Sequence, residues 1–163
     1  QKDAPVTIIE YASLSCQHCA KFHEETLPQF KKKYIDTGKV KLIFREFPLE
    51  KTAFWASIMA RCAGEGRYFA LIETFFKKQR SWSSAEDPYQ ALMKLSQMGG
   101  LSSASIKQCA EDKALGDSIF QTRLEGEQRY NVRSTPSFVI DGETYPGALS
   151  IDKLEKLIKP LLP

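Results

Sequence analysis

Histidine is scarce in this chain, two residues in 163, and cysteine numbers only four. One pair alone, Cys16 and Cys19, has the C-x-x-C spacing. Zinc takes about four nitrogen or sulfur ligands. Cys62 and Cys109 lie far off and form no second C-x-x-C, and His23 is the one spare histidine. The residues therefore argue against a metal site. Missing too is any apolar run near the roughly 20 residues needed to cross a bilayer. There is no internal repeat and no low-complexity segment. Charge of one sign is also wanting: the net charge is +3 and the basic residues are scattered, which gives no argument for a nucleic-acid partner. The short run Lys31-Lys32-Lys33 sits at a helix end, where cations suit the dipole. No signal peptide is visible. The chain begins Gln1-Lys2-Asp3-Ala4-Pro5 and goes almost at once into a strand, as a processed N-terminus would, so a removed leader or anchor stays open.

What is present is an ordinary globular balance. Hydrophobic residues make up 42% and charged residues 26%, over a length that can bury one sizeable core. The even cysteine count permits two disulfides and suits an oxidising compartment.

The chemistry gathers in Ile8 to Cys19, which reads as a buried strand, a short turn and the first turn of a helix. Cysteines two residues apart in a first turn bring their sulfurs within bonding reach, as a dithiol or a small disulfide ring. Cys16 falls at the helix N-terminus, where free N–H groups and the macrodipole favour an anion. Its thiol should therefore ionise more easily than in water. His18, between the two, can add a hydrogen bond or a positive charge to the same sulfur. As a structural staple the pair is poor, because so tight a loop constrains the unfolded chain little. A redox-active pair after a strand and opening a helix is the stronger reading. Glu10 is anomalous in an apolar strand. It either points to solvent at the strand's end or lies buried beneath the cysteines.

Along the rest of the chain, Val6 to Tyr11 is apolar and β-branched enough for a buried strand. A helix follows through Phe22, Thr26, Leu27, Phe30 and Tyr34, with a kink expected at Pro28, and Asp36-Thr37-Gly38 ends it. Val40 to Phe47 is a second strand. From Thr52 to about Gly116 the period is helical, and four helices are read there; Cys62 and Cys109 each lie on an apolar face of one. Two independent buried thiols would fit those faces. Asp117 to Tyr130 reads as a further helix, with Gly126 against it. Ser137 to Ile140, an Asp141-Gly142 turn and Thr144-Tyr145 read as a hairpin. Ile151 to Leu161 closes the chain as an amphipathic helix.

The strand, C-x-x-C and helix, together with Ser134-Thr135-Pro136-Ser137-Phe138 and the strand after it, resemble the thioredoxin superfamily. The long helical stretch between the halves and His18 before the second cysteine resemble its DsbA-like thiol:disulfide oxidoreductases. The resemblance covers nearly the whole chain. It implies an α/β thioredoxin fold, a central mixed sheet flanked by helices, with an inserted all-helical domain. The first half of the fold would span residues 1–50, the insert 51–117 and the second half 118–163.

The resemblance also implies roles. Cys16 and Cys19 would be the redox-active disulfide. An acid six residues before the first cysteine is a family feature, so Glu10 would be a buried carboxyl exchanging a proton with Cys19. The Thr135–Pro136 bond would be cis and would leave the Thr135 backbone beside Cys16, able to pair with an extended substrate. Pro136, lacking an N–H and ligating metals poorly, would keep metal off the thiols, and the Thr135 hydroxyl would tune Cys16. Some DsbA-like proteins carry a second disulfide in the helical domain, here Cys62–Cys109; it would close about 48 residues and contribute roughly 4 kcal/mol at most. Gln17 departs from the proline common at its position. A basic residue common on the second strand is replaced by Phe44, with Arg45 adjacent.

The activity so implied is disulfide oxidation, with the Cys16–Cys19 bond donated to reduced or unfolded exported proteins in a bacterial periplasm. No cofactor is implied, the protein would act as a monomer, and a DsbB-like membrane protein would reoxidise it. Two other readings stay open: an isomerase or reductase of the same superfamily, and a peptide-binding chaperone with an incidental C-x-x-C.

Overall fold

A computed structural model describes residues 2–163; Gln1, with which the N-terminal reading begins, lies outside the described residues. The sheet has four strands in the order β2-β1-β3-β4. These are β1 (Val6–Ala12), β2 (Val40–Glu46), β3 (Ser137–Ile140) and β4 (Glu143–Pro146). β1 runs parallel to β2 and antiparallel to β3, and β3 pairs antiparallel with β4, so the sheet is mixed.

The pleat of β1 decides which residues meet which layer, because alternate side chains leave opposite faces of a strand. Val6, Ile8, Glu10 and Ala12 share one face, and Ile9 and Tyr11 take the other. The first face meets a long helical segment over residues 17–35. Val6 and Ile8 pack there with Phe22, Phe30, Tyr34, Phe138 and the closing helix α9 (Ile151–Ile158). The second face meets α8 (Lys113–Tyr130), where Tyr11 packs with Phe47, Val132 and Val139. Gly126 is required there: a Cβ at that position would sit 2.8 Å from the Tyr11 ring.

Pro28 does not break the first helix. α1 (Gln17–Lys21) passes into a π-helical turn, Phe22–Thr26, then α2 (Leu27–Phe30), then a second π-helical turn, Lys31–Ile35. Proline leaves the carbonyl of Glu24 without its usual partner. The backbone widens instead, and the Leu27 N–H donates to the Phe22 carbonyl five residues back.

Between β2 and α8 lie α3 (Lys51–Cys62), α4 (Glu65–Lys77), α5 (Gln79–Ser83), α6 (Pro88–Met98) and α7 (Ser103–Ala110). Four helices are expected from the periodicity, and the structure adds the short α5, too brief to show a repeat of its own. α8 starts at Lys113, capped by the Asp112 carboxylate, and so runs through position 117. The helices of the insert close over Ile72, Phe75, Phe76, Trp82, Leu92 and Ile106, and this core is continuous with Ala12, Leu14 and Cys19. Cys62 and Cys109 are joined by a disulfide that ties α3 to α7 across 47 positions. The insert is also pinned to the sheet. Glu46 of β2 is buried and accepts from Arg61 Nε and Nη2 at 2.6 and 2.7 Å and from the Tyr68 hydroxyl at 2.6 Å.

Candidate active site

β1 ends at Ala12, and Ser13 to Ser15 turn the chain into α1 with Cys16 as its N-cap. The Cys16 backbone is extended, and its N–H donates to the Ser13 carbonyl at 3.0 Å. Its sulfur takes the place that a serine or aspartate oxygen holds in ordinary caps: the Cys19 N–H points at Cys16 Sγ, 3.4 Å away. Both Cys16 and Cys19 are free thiols, Cys16 half-buried and Cys19 fully buried. The two thiols are thus separated by depth as well as by sequence.

The two thiols differ sharply in acidity. A hydrogen bond from Cys19 holds the Cys16 thiol down, from 9.0 to about 5, against the opposing effect of burial; the Thr135 side chain and the N–H groups of Cys19 and His18 add to it. Cys19 moves the other way. Burial, then the hydrogen bond and charge of Cys16, then the charge of Glu10 push it well above the ordinary thiol range. One sulfur is a thiolate at neutral pH and its neighbour one helical turn inward is a thiol.

The loop before β3 supplies the opposite wall. Thr135–Pro136 is cis, and the Cys16 thiol donates to the Thr135 carbonyl at 3.4 Å. The Thr135 hydroxyl is buried with no partner. In the dithiol form it is idle, and it lies where it can donate to a Cys16 thiolate. His18 and Gln17 are exposed. What His18 contributes to Cys16 is its backbone N–H, while its ring and Gln17 line an open surface cavity with Lys21, Glu24 and Arg80.

Three further residues reach the site through the fold. Gln79, from α5, is buried and donates through Nε2 to the carbonyls of Leu14 at 2.7 Å and Cys16 at 2.9 Å. The insert thereby grips the turn that presents Cys16. The second is Phe76, whose ring lies tilted against His23 with centroids 4.3 Å apart. The third is His23 itself. Glu10 is wholly buried on the helix-facing side of β1, so the solvent-facing alternative does not hold. Its two carboxyl oxygens lie 2.9 and 3.1 Å from His23 Nε2, and one proton joins them. Arg45 does not serve as the cation, because the pleat sends it to the face opposite that of Phe44, the residue paired with Glu10. The signal that could have found His23 is spacing: it stands four residues after Cys19, one turn along the same helix face.

A protein-family model described as thioredoxin matches residues 1–160. A Rickettsia prowazekii protein named as a protein-disulfide oxidoreductase is 34% identical over 166 residues, covering 99% of this chain and 59% of its own length. A Rickettsia bellii protein of the same description is 33% identical over 142 residues, 86% of this chain and 55% of that protein. The chain therefore spans rather more than half the length of these relatives. Among solved structures, Wolbachia pipientis alpha-DsbA1 superposes with a TM-score of 0.90 at 29% identity, over 99% of this chain and 87% of that one.

Proposed function

Since the chain belongs to the thioredoxin family, in its DsbA-like branch, we propose that it is a thiol:disulfide oxidoreductase that works as an oxidase. It donates the Cys16–Cys19 disulfide to reduced cysteines of exported proteins. The observation that carries this reading is the split between the two thiols, Cys16 at about 5 and Cys19 far above the thiol range. Whatever stabilises the Cys16 thiolate stabilises the reduced protein, and a stable reduced form makes the disulfide a stronger oxidant. At pH 7 the thiolate favours the reduced form by roughly tenfold to 100-fold, after discounting for the solvent that reaches a half-exposed sulfur.

The steps follow from depth and charge. A substrate thiolate attacks Cys16 Sγ, the Cys16–Cys19 bond breaks, and the electron pair leaves on Cys19 Sγ, which takes a proton from Glu10. A second substrate thiolate attacks the substrate sulfur of the mixed disulfide and releases Cys16 as a thiolate. The Thr135 backbone beside Cys16 supports docking of an extended substrate there. Reoxidation falls to a DsbB-like membrane protein, and the site of action is the periplasm. The protein acts as a monomer.

The test is oxidation of a reduced two-cysteine peptide by the disulfide form, followed by mass, with a redox titration of the Cys16–Cys19 pair against glutathione. A pair as reducing as thioredoxin, near −270 mV, would turn the reading from oxidase to reductase.

A further inference from the structure

Two buried groups lie side by side under Cys19 with no fixed charge to settle them. Glu10 faces the helix from β1, and Cys19 and His23 face it from one helix side, a turn apart. The Glu10 carboxylate has no Lys or Arg partner among the described residues; its ion-pair partner is His23, whose side chain is 6% exposed. The second nitrogen, His23 Nδ1, is buried and unpartnered. Phe22, Phe44 and Phe76 surround the ring. A lone carboxylate in such a place costs several kcal/mol. A proton shared between carboxylate and imidazole would relieve that cost.

Resting on the oxidoreductase reading above, we propose that Glu10 and His23 act as one proton-holding unit for Cys19, with His23 as the positioning residue that makes the Glu10 proton transferable. When the disulfide is opened, the electron pair leaves on Cys19 Sγ and the unit's proton moves to that sulfur, leaving a single negative charge on the unit. When the mixed disulfide closes, Cys19 Sγ attacks Cys16 Sγ, the substrate thiolate leaves, and the proton returns to the unit. The negative charge that the attacking substrate thiolate brings passes through Cys19 to the unit, and closure of the mixed disulfide carries it out again on the leaving thiolate. An arginine or lysine in place of His23 would hold Glu10 permanently ionised, and an apolar residue would hold it permanently protonated. The imidazole does neither. Other titratable groups near the ring are few: Cys19 on its own helix, and Lys31 and Glu73, which line with it an apolar cavity of about 250 Å³ between β2, the first helix and α4.

The experiment mixes the reduced protein with 5,5′-dithiobis(2-nitrobenzoate) in a stopped flow across pH. Attack by Cys16 releases one coloured thiolate, and attack by Cys19 on the resulting mixed disulfide releases the second. His23→Gln keeps an N–H for Glu10 and cannot carry the proton. It should slow the second phase roughly 100-fold at neutral pH and shift its rising limb to higher pH, with the first phase unchanged. Glu10→Gln should slow the same phase, and the double variant should be no slower than Glu10→Gln alone, as for residues acting as a unit. Additive losses, or a second phase in His23→Gln with the wild-type pH profile, would overturn the proposal. The wild type gives a check free of folding effects. The midpoint of its second-phase limb should coincide with the titration of the His23 ring followed by nitrogen NMR, and midpoints more than about one pH unit apart would also overturn it. Failure of the oxidoreductase reading looks different: no first-phase release at Cys16 in the wild type.

Discussion

Two glutamates of this protein are fully buried on the same face of neighbouring parallel strands, two positions apart in register, and they are held in different ways. Glu46 of β2 lies opposite Ala12, and Glu10 of β1 lies opposite Phe44. Glu46 is clamped by a two-pronged guanidinium and a tyrosine hydroxyl, all from the insert. Its charge raises the Tyr68 hydroxyl above its usual range after burial has done so, and its hydrogen bond raises Arg61 further. Tyr68 is thereby kept a phenol and Arg61 a cation near neutral pH. Glu10 meets an imidazole instead, and beside it a thiol. The difference lies in the cation. A guanidinium fixes a buried carboxylate as structure, while an imidazole leaves it able to trade a proton. The cysteines divide the same way. Cys62–Cys109 closes a long loop inside the insert, where a cross-link removes much freedom from the unfolded chain. Cys16 and Cys19 close almost none and stand at a helix terminus, where chemistry is favoured over stapling.

The sharpest break in this comparison is Cys16→Ser. Peptide oxidation should fall to background while the melting temperature stays within a few degrees, since the serine can still cap α1. Residual turnover through Cys19 would remove the separation of roles by depth. Next in size, Arg61→Ala should strand the Glu46 charge in the core and cost about 3–5 kcal/mol in urea unfolding. The potential of the Cys16–Cys19 pair should not move. If it moves, the two carboxylates are one system and the contrast fails. The double variant Cys62→Ser with Cys109→Ser should lose about 2–4 kcal/mol and keep its rate of peptide oxidation, read by denaturant melts beside the turnover assay.

Thr135→Val is the smallest change and the most specific. It deletes a hydroxyl that has no partner when Cys16 is a thiol, so stability of the dithiol form below the Cys16 pKa should hold. It removes a donor from the thiolate, so the Cys16 pKa should rise by about one unit and the protein should become a weaker oxidant. Alkylation by iodoacetamide as a function of pH reads the shift. The sign follows from linkage: Cys16 titrates at about 5 in the fold and at 9.0 when unperturbed. The dithiol form therefore gains stability over the disulfide form as pH rises through that window. The gain is complete near 9 and lost as pH falls through about 5. In Thr135→Val the lower edge of the window should move up, as paired thermal melts of the two redox forms would record.

Much of this was legible in the residues because it depends on local period. β1, β2 and the β3–β4 hairpin follow from alternation and the Asp141-Gly142 turn, and α9 from its strong apolar stripe. Cys16 at a helix N-terminus follows from a strand, a turn and a C-x-x-C. Local rules did not show that the helix widens into π-helical turns on either side of Pro28; burial of Phe22 and Phe30 on one face rewards keeping the chain helical there. They also missed α5, five residues long, and with it Gln79, whose partners are 63 and 65 positions away.

The sequence alone therefore determined the C-x-x-C pair at a helix N-terminus, the order of the strands and of every helix but α5, and which faces are apolar, since each rests on neighbours within a turn or two. Whether Glu10 faced solvent or core, and which cation answered it, only the tertiary structure decided. The pleat of β1 had to be set against one side of the first helix before Glu10, Cys19 and His23 could meet. The same pleat carried Arg45 to the far face, although it is the next residue after Phe44 in the chain. A strand's two faces are chemically distinct only once something is packed on each, and no local period says what that will be.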